Sequence, residues 1–520
     1  INLVTMCTIS QLLTQLQNQW QILLGLLLLL VLSLLLIVRR RSSTGKGLQL
    51  PPGPTGLPLL GNLHQLGGLP HRSLRELARR HGPVMLVRLG VTRMLVVSSA
   101  STAREVLKTH DAKCCSRPTC PGPKLLTYGF KDLVFAPYGD GWRERRKVLV
   151  SELLSMRGVK AAWGARQEQV GVLMAALTKG SNNPVALDEH VYGVADGIIG
   201  KVALGSVYGK DKLAAGKKRQ LQSVFHEAME MLGNFSGEDF FPNAVGRLLD
   251  RITGIVARRR QLFGELDGFF EMVIEEHMKP GRDNKGGGLV DALINLWKED
   301  SCGITRDHIK AIILDTFVGG VETSSVTILW AMSELVRKPR VLNKVQEEIR
   351  AAVGVSGRVQ PEDLPRLSYL KRVVKETLRL YPPATLLAPR ETMRHVTIGG
   401  YDVPAGTWVS VNVWAIGRDT ATWGEDAEEF DPDRFLDSEV DLHGAHYQLL
   451  PFGAGRRMCP GIAMALTNVE FTLANMLCGF DWALPEGVTA EDVCMEEAGV
   501  LAFHRKTPLL LVPTPYHPIP

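Results

Sequence analysis

The chain has 520 residues, 45% of them hydrophobic, and a formal net charge of +6. That length admits two to four domains or one large single-core enzyme, and so small a basic excess gives no ground for nucleic-acid binding without a concentrated patch. The 8 cysteines show no framework spacing, and Cys114, Cys115 and Cys120 lack the second pair that a zinc site needs, so they read as reduced cytosolic thiols.

From the N-terminal end, residues 1–21 read as a short lumenal stretch, and residues 1–20 carry no charged side chain. Ile22 to Val38 is an apolar run broken only by Gly25 and Ser33. As a helix it covers about 25 Å, enough to span a membrane. It exceeds the ~7 to 15 apolar residues of a signal-peptide core and no small-residue cleavage site follows, so residues 22–38 are predicted to be an uncleaved transmembrane anchor. Arg39, Arg40, Arg41 and Lys46 come next, so the positive-inside rule puts everything after Val38 in the cytosol and Trp20 at the opposite interface. The first residue is Ile1, and Met6 is the expected initiator. Pro51, Pro52, Pro54 and Pro58 stop any helix continuing from the anchor. Residues 39–58 therefore read as a basic, proline-rich hinge ahead of one domain over 59–520.

Within that domain Val84 to Leu89 and Met94 to Val97 read as a small early sheet, and helical patterns dominate the remainder. The predicted fold class is mainly α with small β-sheets. No internal repeat is present, and Gly286 to Gly288 reads as a loop. Arg143, Arg145, Arg146 and Lys147 form a basic cluster that reads equally as a solvated face or a docking patch for an acidic partner. The longest helical pattern runs from about Arg306 to Val336 behind Thr305 as N-cap, and carries Gly319 and Gly320 in its middle. Each glycine costs a helix about 1 kcal/mol relative to alanine, so by itself the pair reads as a kink or a close helix crossing. Glu376 and Arg379 share a helical face at i, i+3, an arrangement worth only tenths of a kcal/mol where exposed.

The most informative string is Phe452-Gly453-Ala454-Gly455-Arg456-Arg457-Met458-Cys459-Pro460-Gly461. A lone cysteine ordinarily behaves as a small buried hydrophobe. Here glycines permit a tight turn with backbone N–H groups aimed at sulfur, and Arg457 supplies positive charge for an anionic cofactor, which is the make-up of a metal-thiolate loop. The string fits Phe-x-x-Gly-x-Arg-x-Cys-x-Gly and resembles the haem-binding loop of the cytochrome P450 family. Covalent c-type attachment is not indicated, since no Cys-x-x-Cys-His occurs.

The resemblance extends from the hinge to the last strand, and it implies a role for each motif. Cys459 would be the axial thiolate of haem b, with Phe452 beside it and Gly455 and Gly461 letting the backbone pass close to the porphyrin. Arg457, Arg146 of Trp142-x-x-x-Arg146, and Arg390 would hold the propionates, three arginines for two carboxylates. The glycines would leave room for dioxygen on the opposite face, where Glu322 and Thr323 stand as an acid-alcohol proton relay; Asp is commoner than Glu at the acid position. Arg434 would complete a buried network with Glu376 and Arg379 that serves folding.

The resemblance is to plant microsomal members of the family, which implies an endoplasmic reticulum anchor, electrons from NADPH-cytochrome P450 reductase, dioxygen as co-substrate and a small apolar or aromatic substrate, with no nicotinamide bound by this chain. The strings Asp111 to Pro118, Asp239 to Asn243 and Phe503 to Pro508 are most similar to grass enzymes acting on 4-hydroxyphenylacetaldehyde oxime. An aldoxime would be dehydrated to a nitrile and hydroxylated to a hydroxynitrile on the way to a cyanogenic glucoside. By the same analogy Tyr128, Phe130, Phe317, Gly319, Gly320, Leu386, Leu387, Val500 and Leu501 are candidate pocket residues. The alternatives are a hydroxylase of a flavonoid, indole or phenylpropanoid, a non-oxygenating haem dehydratase or isomerase, and a membrane-tethered haem scaffold.

Overall fold

The computed structural model describes residues 47–208, 215–280, 288–300, 303–354 and 357–517. The predicted anchor over 22–38, residues 1–21 with Trp20, the basic residues 39–46, and Gly286 and Gly287 lie outside the described residues. What is described is mainly helical with small sheets, as the sequence predicts.

The early sheet forms from Val84–Leu89 (β1) and Thr92–Val97 (β2), antiparallel from Val84 opposite Val97 to Leu89 opposite Thr92. Arg390–Glu391 (β3) and Trp408–Val411 (β4) extend it in the order β1-β2-β4-β3, with β2 and β4 parallel. Both faces are covered: Leu95 and Val97 pack with Val106 and Leu107, whereas Met94 and Val96 pack with Leu74 and Trp408. A strand buried on two sides reads as an apolar run instead of strict alternation. The proline segment lies along β1, because Leu86 N–H donates to the Pro52 carbonyl at 2.8 Å and a Cβ on Gly53 would stand 2.1 Å from the Leu86 oxygen. Residues 51–58, predicted as hinge, are thus tied to the globular body.

The helices that position the site are Asp140–Leu149 (α1), Leu187–Leu204 (α2), Ala215–Gly233 (α3), Arg306–Phe317 (α4), Thr323–Arg337 (α5), Ser368–Leu380 (α6) and Ile462–Gly479 (α7). Every residue of α5 from Ser324 to Val336 is buried. The combined span Arg306–Arg337 and α7 are long and apolar enough to cross a membrane, but most of each lies inside the protein as a core helix.

The predicted single helix over 306–336 is broken in its middle by a π turn, Val318–Glu322. It starts as expected at Thr305, which forms a capping box with His308. The two glycines have separate causes. A Cβ on Gly320 would stand 2.6 Å from Ile199 Cδ1 of α2, so this position is a close helix crossing, whereas a Cβ on Gly319 would meet nothing within 4 Å. Thr323 Oγ1 donates to the Gly319 carbonyl at 2.7 Å and closes the bulge. Single π turns inside α-helices are frequent at functional sites.

Glu376 and Arg379 do not lie on an exposed face: they are 0% and 1% exposed. Arg379 Nε and Nη2 reach Glu376 Oε2 and Oε1 at 2.6 and 2.7 Å, and its remaining donors take the Gly417, Ala427 and Glu429 carbonyls. Arg434 Nε approaches Glu376 Oε1 at 3.4 Å. The network therefore ties α6 to the 417–434 segment.

Gly320→Ala is expected to lower stability by about 1–3 kcal/mol through overpacking, and the added Ile199→Ala change, which removes both opposing atoms, Cγ1 and Cδ1, to destabilise less in the Gly320→Ala background than in the wild type. Gly319→Ala should cost little. Thermal unfolding of the four variants beside the wild type checks both statements; equal effects at the two glycines would refute the separate causes.

Candidate functional site

The Phe452–Gly461 loop leads into α7. Cys459 N–H donates to the Phe452 carbonyl at 2.9 Å, which fixes the turn, and Gly461 is the N-cap of α7. Gly455 has φ +69, and a Cβ there would stand 2.3 Å from the Leu107 carbonyl and 2.7 Å from Asp111 Oδ1. The crowding that demands glycine at 455 comes from the 105–111 segment. At Gly461 a Cβ would make only ordinary contact with the Cys459 sulfur, at 3.8 Å.

Burial pushes the Cys459 thiol up, opposed by the Gly461 N–H and by the charge of Arg146. Cys459 nonetheless keeps accessible surface. A residue deep in the protein that still has free surface borders a cavity, not packed core alone. Among the described residues no group of three or more His, Cys, Asp or Glu could hold a metal ion, so any metal here must bring most of its own ligands.

Around this cavity the structure gathers the predicted arginines. Trp142 is buried on α1 and donates Nε1–H to the Leu133 carbonyl at 2.9 Å. The guanidiniums of Arg457 and Arg146 lie 4.1 and 5.5 Å from its ring centroid. Arg457 donates to the carbonyls of Cys115, Leu133 and Ala136, and Arg146 to that of Met458 at 2.6 Å. Arg390, held at the sheet edge by β3, pairs with Asp111 Oδ1 and donates to the Ala454 carbonyl, both at 2.8 Å. Asp111 also takes Arg456, through its N–H at 3.0 Å and its Nη1 at 2.9 Å.

A fourth arginine, Arg117, was not among the sequence candidates. It is 6% exposed and donates to the carbonyls of Val134, Ala388 and Pro389. Its signal was a strongly basic residue following Cys114, Cys115 and Ser116, all of them buried. Among the described residues Arg117, Arg146 and Arg457 make no ion pair. Burial lowers all three, Arg457 to about 10, and the charges of Arg457 and Arg390 push Arg117 down further. Of the basic cluster on α1, Arg146 turns inward, Arg143 pairs with Asp140 at the surface, and Arg145 sits 3.4 Å from His308.

On the central helix Glu322 is 6% exposed. Its Oε1 accepts from Tyr192 Oη of α2 at 2.7 Å, and its Oε2 lies 3.4 Å from His226 Nδ1 of α3. Burial pushes its carboxyl up, but the bonds from His226 and Tyr192 outweigh that and hold it below the usual carboxylate range.

The Cytochrome P450 family model matches residues 51–512. The chain belongs to the cytochrome P450 family. It is 58% identical to 4-hydroxyphenylacetaldehyde oxime monooxygenase of Sorghum bicolor, over 96% of each chain. It is 45% identical to 2-methylbutanal oxime monooxygenase of Manihot esculenta, over 96% of this chain and 98% of that one. A solved zebra fish cytochrome P450 structure with progesterone matches with a TM-score of 0.74 at 26% identity, covering 86% of this chain and 99% of that chain. As a cytochrome P450 the protein is a monooxygenase that uses haem b, dioxygen and electrons from NADPH-cytochrome P450 reductase to act on a small organic substrate.

The residues present fit haem b. A buried charge needs a partner, and three guanidiniums without carboxylates suit a cofactor carrying two, beside a cysteine that borders a cavity. Of the pocket candidates in this cytochrome P450, Tyr128, Phe130, Phe317 and Leu501 join one apolar cluster together with Trp142. Leu387 lies beside the cysteine loop, 3.6 Å from where a Gly453 Cβ would be, and Leu386 packs instead toward Trp408. Val500 is 38% exposed and, with Leu501, abuts Gly233 at the end of α3.

Arg117→Leu is expected to lower haem content per chain several-fold, read as the ratio of Soret to aromatic absorbance, with helix content by circular dichroism largely kept. Unchanged haem content would show that the three carbonyls alone justify the arginine.

Proposed function

We propose that this cytochrome P450 converts an aromatic aldoxime of the 4-hydroxyphenylacetaldehyde oxime type to a hydroxynitrile, the step toward a cyanogenic glucoside. The observation that carries the substrate class is its 58% identity, over 96% of each chain, to the sorghum enzyme named for that substrate. An aromatic wall supports it: Phe317 stacks on Phe225 with ring centroids 4.6 Å apart and planes 3° from parallel. Tyr128 packs on Phe263 at 5.0 Å.

In this reading Cys459 would bind the haem iron through its sulfur, and Arg117, Arg146, Arg390 and Arg457 would hold the propionates, with Trp142 as the surface on which two of the guanidiniums rest. Haem b supplies the redox and oxygen-activating chemistry. The chain supplies binding, orientation and protons. The aromatic cluster excludes bulk water, which favours loss of the oxime hydroxyl as water and leaves proton delivery to fixed groups. Thr323 presents its hydroxyl from the π turn beside Gly319, and Glu322 is the carboxylate that resupplies it. The longer reach of Glu than Asp suits a carboxylate anchored as far as α2 and α3. The Glu376, Arg379 and Arg434 network holds the fold. Residues 22–38 anchor the chain once in the endoplasmic reticulum membrane with the catalytic domain cytosolic, and the basic residues after Val38 lead from the anchor to that domain.

Cys459→Ala is expected to abolish the carbon-monoxide difference band typical of thiolate haem; a surviving band would remove Cys459 from its role. Thr323→Ala should raise peroxide released per NADPH several-fold, and unchanged coupling would argue against the relay. For the substrate, a low-to-high-spin Soret shift is expected with 4-hydroxyphenylacetaldehyde oxime. A strong flavonoid or indole shift with none from the oxime would redirect the assignment.

A further inference from the structure

The carboxylate of Glu322 lies between two unlike neighbours. Tyr192 is a fixed donor: burial, then the charge of Glu322, hold its phenol far above neutral pH. His226 differs, because its side chain is 47% exposed while that of Glu322 is 8% exposed. The imidazole spans the boundary between solvent and the buried acid, with Nδ1 3.4 Å from Glu322 Oε2 and Nε2 3.9 Å from Glu230 Oε1. Glu230 is itself 46% exposed. Among the described residues Glu322 meets no Lys or Arg within ion-pair distance, so its cationic partner is one that can release a proton near neutral pH.

We propose that His226 is the port through which solvent protons reach Glu322, a positioning residue that acts on the reaction through the acid. The inference rests on the Glu322–Thr323 relay proposed above. The imidazolium gives its Nδ1 proton to Glu322 Oε2, leaving a neutral imidazole and a neutral carboxyl. The neutral imidazole keeps its Nε2 proton, so solvent restores the lost one at Nδ1 when the half-exposed ring turns that nitrogen outward; the carboxyl passes its own proton inward, and the pair is reset without net change. Electrons come from NADPH through the reductase and play no part in this exchange.

The charged surroundings favour that cycle. The groups facing His226 are Glu322 from the central helix, Glu230 from its own helix and His504 of the Phe503–Arg505 strand, whose ring centroid is 5.9 Å away; behind Glu322 stand Tyr192 and Asp188 of α2. The bond to Glu322 raises His226 above its ordinary range, with Glu230 adding to the effect and burial opposing it. His226 therefore holds its proton to higher pH than a free imidazole does, and the supply falls as pH rises through its raised pKa.

The test uses full-length holoenzyme with reductase, comparing wild type, His226→Gln, His226→Arg, Glu322→Gln and Thr323→Ala. Product formed per NADPH is followed across pH, and exchange of the histidine C2 hydrogen, read by mass spectrometry, gives the pKa of His226 independently of turnover. Wild-type coupling should fall as pH rises through that pKa, and His226→Gln should be several-fold less coupled with a flat profile. His226→Arg preserves the ion pair but cannot exchange protons at these pH values, so it should stay uncoupled; rescue by Arg would reduce His226 to a structural counter-charge and overturn the proposal. Glu322→Gln should bring the His226 pKa down toward its ordinary value, and no movement would remove the contact on which the port depends. If His226→Gln couples as wild type while Glu322→Gln and Thr323→Ala do not, the port fails and the relay stands. If all three couple normally, the relay itself fails.

Discussion

A guanidinium taken out of water without a counter-ion is costly, and this chain sets Arg117, Arg146 and Arg457 among backbone carbonyls and the Trp142 ring, with no ion-pair partner among the described residues. The carbonyls of Cys115, Leu133, Val134, Ala136, Ala388, Pro389 and Met458 all point at them. Those carbonyls belong to the long segment between β2 and α1, to the approach to β3 and to the cysteine loop. The conformation of three distant stretches is thus shaped by one shared electrostatic need. Carbonyl dipoles lessen it, and two cofactor carboxylates would meet it, so haem binding and ordering of these loops are linked equilibria.

The segment that carries Glu322 and Thr323 is arranged by the opposite device, a local weakening. Gly320 lets α2 approach the central helix, Gly319 leaves open space, and after the π turn Thr323 bonds back to the Gly319 carbonyl. Neighbouring residues are consequently turned to different tasks: Thr323 bonds back toward the bulge while Glu322 reaches Tyr192 and His226 on two other helices. An uninterrupted helix with alanines at 319 and 320 would clash with Ile199 and fill the space beside the hydroxyl. The glycines' cost in helix propensity is carried by the packed remainder of α5.

The parts legible in the sequence were those encoded in residue type and spacing. The cysteine loop was readable because glycine, arginine and cysteine fall at fixed intervals, and β1 and β2 because their apolar runs are short and bounded. Glu376 and Arg379 looked like any surface pair until the fold buried them, since burial is a property of the tertiary surroundings. Asp111 and Arg117 were in view only as parts of a string; what matters about them is that they converge on Arg390 and Arg457 from far away in the chain. The docking of 51–58 on β1 was hidden because proline announces a break in helix and says nothing about what the broken segment lies against.

The proposed pocket residues were the least legible, and their backbone explains why. Tyr128, Phe130 and Leu387 all have positive φ, at 55°, 66° and 52°, a region that side chains with a Cβ avoid and that a sequence reader expects of glycine. Such conformations persist where the surroundings over-determine them, and they concentrate at ligand sites. Tyr128 is fixed by its hydroxyl bond to Asp267 at 2.9 Å, and Asp267 by Lys310 of α4 at 2.6 Å. The aromatic wall is therefore tied by a polar chain to the same long helix that presents Thr323. A change at Lys310 or Asp267, neither of which was a pocket candidate, would release the strained Tyr128 turn and reshape the cavity without touching the cysteine loop or the arginines.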